Sequence, residues 1–232
     1  MQQFLALAFG PHAAPLAGPP LGDWRMWIVL TLAVLWTTAM HELGHAWMAD
    51  RLGDPGPRAA GRLSFNPLRH LDPVGTLVMC VTMAVGVPLG WGKAVEVDSA
   101  KLRGGPRFGS AMVAVAGPLA NLAHAAVLAL PVRWFLEGGG GGAGPWLGYV
   151  ALFLVASIGI AVSQFAFNLV PVHPMDAAHV VAAALPGRAG DAYVTFMKRF
   201  GTLIFLGLAY TGVLNVALVP LILSIFRWLI GI

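Results

Sequence analysis

The chain has one cysteine, Cys80, among its 232 residues, which excludes an intrachain disulfide and any cluster of thiolates around a metal. Charge is scarce too: Asp, Glu, Lys and Arg make up 10% of the sequence, against about 25% in an ordinary soluble domain. With 58% hydrophobic residues beside so little charge, the composition is that of a membrane protein. The net charge of +4 comes from Lys and Arg in the connecting segments. No basic stripe with interleaved aromatics accompanies it, so nucleic acid is not an expected partner. The positive charge bears instead on topology and on anionic lipid. The first residues lack the basic n-region of a secretory signal, and Pro11, Pro15, Pro19 and Pro20 break any helix there. Residues 1–22 therefore read as an irregular, interfacial leader. No internal repeat occurs, and no soluble stretch is long enough to form a second domain.

What the chain does have is long apolar runs, at 24–49, 74–91, 108–134, 146–172 and 201–230. Four of them reach the roughly 20 residues a helix needs to span a bilayer. The expected fold is an all-α membrane protein, a polytopic helical bundle of four transmembrane helices in a single unit over 1–232, with Pro220 kinking the last. The run at 74–91 is shorter and interrupted by Gly75, Gly86, Pro88 and Gly90, so a re-entrant hairpin or loop is expected there. The glycine run at 138–144 reads as a flexible external connection. Tryptophans gather near the ends of the runs (Trp24, Trp27, Trp91, Trp134, Trp146, Trp228), as interfacial anchors do.

The most informative stretch is His41-Glu42-Leu43-Gly44-His45, an H-E-x-x-H motif inside the first run. On a helix, residues four apart lie one above the other on one face, about 6 Å apart. Both imidazoles can then hold one zinc ion, with Glu42 beside it to take a proton from water. Histidines and a carboxylate are costly in hydrocarbon, so such a cluster in a span reads as a functional site rather than as incidental core polarity.

A zinc hydrolase site needs a third protein ligand and an open position. Asp176 is the leading candidate. It follows Pro171 and Pro174, which stop a regular helix and let a carboxylate turn into a cavity. His173 and His179 compete as imidazole ligands, whereas Asp50 and Asp54 fall in a solvated loop after the first helix.

Four patches together resemble the site-2 proteases, zinc metalloproteases that cut within the membrane. They are HELGH; the loop Gly61-Arg62-Leu63-Ser64-Phe65-Asn66-Pro67 through Thr76, with Gly90-Trp91-Gly92-Lys93-Ala94-Val95; Ala116-Gly117-Pro118-Leu119-Ala120-Asn121; and Asn168 to Asp176. The resemblance implies one zinc on His41, His45 and Asp176, Glu42 as general base, and Asn168 near the metal, holding the substrate strand or polarising its carbonyl. It also implies a transmembrane protein or peptide as substrate, such as a membrane-tethered anti-sigma factor or transcription factor precursor. The loops at 50–72, 92–107 and 173–199 carry Lys and Arg while 135–145 carries none, so the expected setting is a multi-pass protein of the cell membrane with the active site toward the cytoplasm. The sequence departs from the pattern at Ala177, where a glycine is usual, and at Ala94, where a proline is usual. A Cβ at Ala177 restricts positive φ, which bears on the turn carrying Asp176. There is room for neither a PDZ nor a CBS domain.

Asn66, Trp91 and Lys93 are further candidates to line a substrate groove, and Asn121 is a substrate contact or an inter-helix hydrogen-bonding group. A metal-handling transporter is the competing class, but it does not require a glutamate directly after the first histidine, and paired broken helices in two repeats are missing. A non-catalytic relative would have lost Glu42 or a ligand.

Overall fold

The computed structural model describes residues 24–83, 91–139 and 146–232. The leader at 1–22, part of the 74–91 run and most of the glycine run lie outside the described residues. Among the described residues eight α-helices follow one another: α1 (Trp24–Arg51), the single turn α2 (Gly56–Ala59), α3 (Pro73–Met83), α4 (Gly105–Trp134), α5 (Trp146–Asn168), α6 (Ala177–Ala184), α7 (Gly187–Tyr210) and α8 (Val213–Ile230). Among the described residues there is no strand beyond one isolated antiparallel bridge, Leu71 with Gly92. The protein is an all-α, multi-pass membrane protein, and α1, α4, α5, α7 and α8 are each long and apolar enough to cross a bilayer.

The last apolar run differs from expectation. The sequence suggests one helix over 201–230 bent at Pro220, whereas the chain breaks ahead of that proline, at Thr211-Gly212. Gly212 adopts φ 76°, a left-handed turn that a side chain would resist, while Pro220 sits inside α8. The path through the break is set by two arginines. Near the start of α4, Arg107 Nη2 donates to the Gly187 carbonyl at the head of α7 (2.9 Å). At the end of α4, Arg133 donates to the Trp228 and Leu229 carbonyls at the tail of α8 (2.7 and 2.6 Å). Helices α7 and α8 between them therefore travel the length of α4 once. Arg133 also satisfies carbonyls that the end of α8 leaves open.

The chain between α1 and α4 likewise leaves and returns at one end of the bundle. Arg103 N donates to the Leu52 carbonyl (2.8 Å), and buried Asp54 accepts from the backbone N–H of Gly56 and Asp98 (3.0 and 2.8 Å). With 11 residues, α3 is about 16 Å long, half the roughly 30 Å of a hydrocarbon core. It does not connect opposite ends of the bundle.

Close helix packing depends on small residues, since lipid offers no hydrophobic drive between helices. Gly44 of α1 meets α4 so tightly that a Cβ there would stand 2.6 Å from the Ala116 carbonyl oxygen and 2.6 Å from Ala120 Cβ. Farther from the site, Ala125 and Ala129 of α4, Val155, Ile158 and Val162 of α5, and Ile222 and Phe226 of α8 form the main apolar core.

Candidate metal centre and active site

Thr38, His41, Glu42 and His45 share one face of α1, the face that crosses α4 at Gly117. A Cβ on Gly117 would lie 2.4 Å from the His45 ring and 2.8 Å from His41 Cε1, so glycine at this position gives the two imidazoles room against α4. Arg51, the last residue of α1, is about 9 Å beyond His45 along the axis. The histidines thus sit inside the bundle and near its end.

Asp176 arrives from the other side. Helix α5 stops at Asn168, and the proline-broken stretch 169–175 turns the chain back before α6 begins. Asn168 controls this turn. Its Nδ2 donates to the Gln164 carbonyl (2.9 Å) and its Oδ1 accepts from the Asp176 backbone N–H (3.2 Å). Tyr193 and Gly201 of α7 brace the same turn. The Tyr193 hydroxyl donates to the Pro171 carbonyl (2.6 Å), and a Cβ on Gly201 would come within 2.7 Å of His173 Cβ. The departure at Ala177 is accommodated because Ala177 opens α6 and no residue other than glycine takes a positive φ among the described residues.

The three ligand candidates converge. His41 Nε2 and His45 Nε2 are 3.0 Å apart; His41 Nε2 lies 3.3 Å from Asp176 Oδ2, and His45 Nε2 lies 3.4 Å from Asp176 Oδ1. Ligands about 2.0–2.1 Å from a tetrahedral zinc stand about 3.3 Å from one another, so the spacing suits that ion. Asp176 Oδ2 is buried without a hydrogen-bond partner, as an oxygen reserved for a cation would be. The Val113 carbonyl of α4 lies 2.8 Å from His45 Nδ1 and can only accept, which places the ring proton on Nδ1 and leaves Nε2 free to ligate. These residues fit zinc. Among the described residues no other His, Cys, Asp and Glu form such a group, and neither His173 nor His179 joins it.

Glu42 is nearly buried, and its Oε2 has no hydrogen-bond partner. Its nearest cation is Arg62, 3.8 Å away (Nη2 to Oε2), which the sequence reading passed over. Arg62 is itself buried and ties two loops together, donating to the Arg69 carbonyl (3.0 Å) and to that of Lys93. Burial pushes its guanidinium below the usual arginine value, with Glu42 and Glu96 pulling the other way. Beside it, burial lowers the pKa of the His70 ring, whose Nε2 lies 2.8 Å from the Ser64 carbonyl. The loops so joined bring Gly92 against Glu42: a Cβ there would lie 3.2 Å from Glu42 Cγ and 2.8 Å from Thr38 Cγ2.

Of the remaining candidates, three lie on this rim and Asn121 lies inside the bundle. Trp91 is exposed and its ring and carbonyl press on Gly75. Lys93 uses its backbone N–H to reach the His70 carbonyl (2.8 Å), leaving an exposed side chain. Asn66 is exposed and caps a turn at Pro67–Arg69, accepting from Leu68 N (3.0 Å). Asn121 is buried completely in α4, with Nδ2 3.1 Å from His41 Nδ1 and 3.1 Å from Gln164 Oε1.

Comparison with known proteins agrees with this geometry. A protein of Bacillus subtilis (strain 168) named "Putative zinc metalloprotease YwhC" is 32% identical over 200 residues, covering 84% of this chain and 85% of its own length. The chain belongs to the site-2 protease family of zinc metalloproteases. The family member Rip2 of Mycolicibacterium smegmatis (strain ATCC 700084 / mc(2)155), under the same style of name, is 29% identical over 203 residues, 84% of this chain and 72% of its own. Rip2 of Mycobacterium tuberculosis (strain ATCC 25618 / H37Rv) is 30% identical over 137 residues, 56% of this chain and 51% of its own. No family profile and no solved structure matches the chain. The names of these relatives imply zinc, and the His41, His45 and Asp176 cluster fits a metal site.

Proposed function

We propose that this protein is an intramembrane endopeptidase that hydrolyses peptide bonds within or near the transmembrane segments of membrane-tethered regulators. The observation that carries the reading is a complete zinc-hydrolase set: two histidines and an adjacent glutamate on α1, a helix apolar enough to cross a bilayer, and an aspartate on the turn that follows α5, another such helix.

His41, His45 and Asp176 would hold one zinc ion, which when bound supplies a Lewis acid and lowers the pKa of its water toward about 7. The Glu42 carboxylate takes the proton of the attacking water and passes it to the leaving amine. Asn168 fixes the Asp176 turn and stands where a substrate carbonyl would enter. Asn66, Trp91 and Lys93 meet the substrate on the loop side. A helical substrate hides its peptide carbonyls in its own hydrogen bonds, so it unwinds locally and pairs with the extended stretch after Trp91, beside Gly92 and Glu42.

The zinc end of the bundle faces the cytoplasm and the 74–91 segment re-enters the membrane from that side. Arg51, Arg58, Arg62, Arg69, Lys93, Lys101, Arg103, Arg107, Arg188, Lys198 and Arg199 belong to that end or to α7, against Arg25, Arg133 and Arg227 at the far end. Single cysteines at Ser64, Ser99 and Gly140 in a Cys80→Ser background test this with a membrane-impermeant label. Ser64 and Ser99 are expected to react alike and opposite to Gly140; opposite behaviour of Ser64 and Ser99 defeats the topology.

Metal removal tests the function. Protein reconstituted in liposomes with a model transmembrane peptide is expected to lose cleavage on treatment with a zinc chelator and to regain it with one equivalent of zinc. Cleavage that persists in metal-free protein would overturn the reading.

A further inference from the structure

The two zinc-binding histidines are held differently, and the difference assigns a role to Asn121 and Gln164. For His45, a backbone carbonyl fixes the ring proton on Nδ1. For His41, the group facing Nδ1 is an amide, whose oxygen and nitrogen ends have the same shape. In the structure Asn121 Nδ2 faces both His41 Nδ1 (3.1 Å) and Gln164 Oε1 (3.1 Å), and Gln164 Nε2 faces Thr38 Oγ1 (3.0 Å). That polarity makes His41 Nδ1 an acceptor and puts its proton on Nε2, the atom zinc needs.

Turning both amides over reverses every donor in the chain without moving a heavy-atom position. The Thr38 hydroxyl then donates to Gln164 Oε1, and Gln164 Nε2 donates to Asn121 Oδ1. That same oxygen accepts the His41 Nδ1 proton, and Nε2 is left with its lone pair. We propose that Asn121 and Gln164 are positioning residues that select the zinc-binding tautomer of His41, through an amide chain that ends on the Thr38 hydroxyl, a group able to donate or accept. This rests on zinc binding at His41, His45 and Asp176. Gln164 thereby serves two ligands: its side chain acts on His41 through Asn121, and its carbonyl anchors Asn168, which holds the Asp176 backbone.

Two nearly isosteric acidic substitutions separate this role from simple packing or charge. An aspartate at 121 offers only acceptors, so it still takes the protons of His41 Nδ1 and Gln164 Nε2. A glutamate at 164 offers only acceptors too, so it forces Asn121 to present Nδ2 toward both neighbours and drives the His41 proton onto Nε2. Electrostatics alone would have both added negative charges tighten zinc. The amide chain instead expects zinc affinity in Asn121→Asp within about threefold of wild type or tighter, and a loss of about 10–100-fold in Gln164→Glu. Asn121→Leu, with no acceptor, loses a similar amount.

The measurement is zinc competition with a chromophoric chelator at pH 8 on purified full-length protein in detergent. Melting temperature confirms that each variant is folded, and the cobalt-substituted spectrum reports the ligand field. Zinc bound by Gln164→Glu as tightly as by wild type overturns the assignment, as does a loss in Asn121→Asp equal to that in Asn121→Leu. A wild-type protein that binds no zinc would instead defeat the proposed function itself, which keeps the two failures apart.

Discussion

Glu42→Gln is expected to retain zinc and fold while peptide hydrolysis falls by about 10²–10⁴-fold, the usual worth of a positioned general base. Glutamine has nearly the shape of glutamate, so the packing of α1 against the Arg62 loop survives. What it removes is the ability to take a proton. The metal is unaffected because Glu42 lies outside the group formed by His41, His45 and Asp176. Its Oε2 is buried without a hydrogen-bond partner, its charge contact being Arg62 Nη2 at 3.8 Å, so melting temperature is read beside activity to separate the loss of that ion pair from the loss of the base. Wild-type turnover in the purified variant would remove Glu42 from the role of base.

Asp176→Ala has the second large effect: zinc and activity disappear together. The carboxylate spans both histidines, 3.3 Å from one Nε2 and 3.4 Å from the other, so its loss leaves two ligands where a hydrolytic zinc site requires three. His173→Ala and His179→Ala keep the metal, since neither imidazole reaches the cluster. Elemental analysis after dialysis distinguishes the cases. A variant that loses zinc at His179 and keeps it at Asp176 would show the third ligand to be misassigned.

The spacing of His41 and His45 on one helix made the first half of the site readable from sequence, because helical geometry alone brings residues four apart onto one face. Asp176 was readable only as one of several candidates. The prolines announced a broken helix, but which of His173, Asp176 and His179 turns inward depends on Asn168 and on the brace from α7. Gln164 and Thr38 stand outside the patches that carry the resemblance, and Arg62 and Gly92 lie within them without a role of their own. An amide inside a run as apolar as 146–168 was itself a signal, since polar groups in a span seek partners. Arg62 gave none, being one arginine among several in a basic loop, and its burial follows from two loops closing over it. The helix count was hidden for a similar reason. Pro220 looked like the natural interruption of the last run, yet a proline is tolerated within α8, and it is Gly212 that supplies the positive φ the break requires.

The central claim is that this zinc site acts on peptide bonds inside the membrane, and the most direct measurement is the position of the cut. Wild-type protein is incubated in liposomes with a peptide carrying one apolar membrane-spanning segment between polar flanks, and the products are weighed by mass spectrometry. The account predicts a scissile bond within or at the edge of the apolar segment, toward its cytoplasmic end, with no such product from Glu42→Gln. Cutting confined to the polar flanks, or an in-membrane product of equal yield from Glu42→Gln, would contradict it.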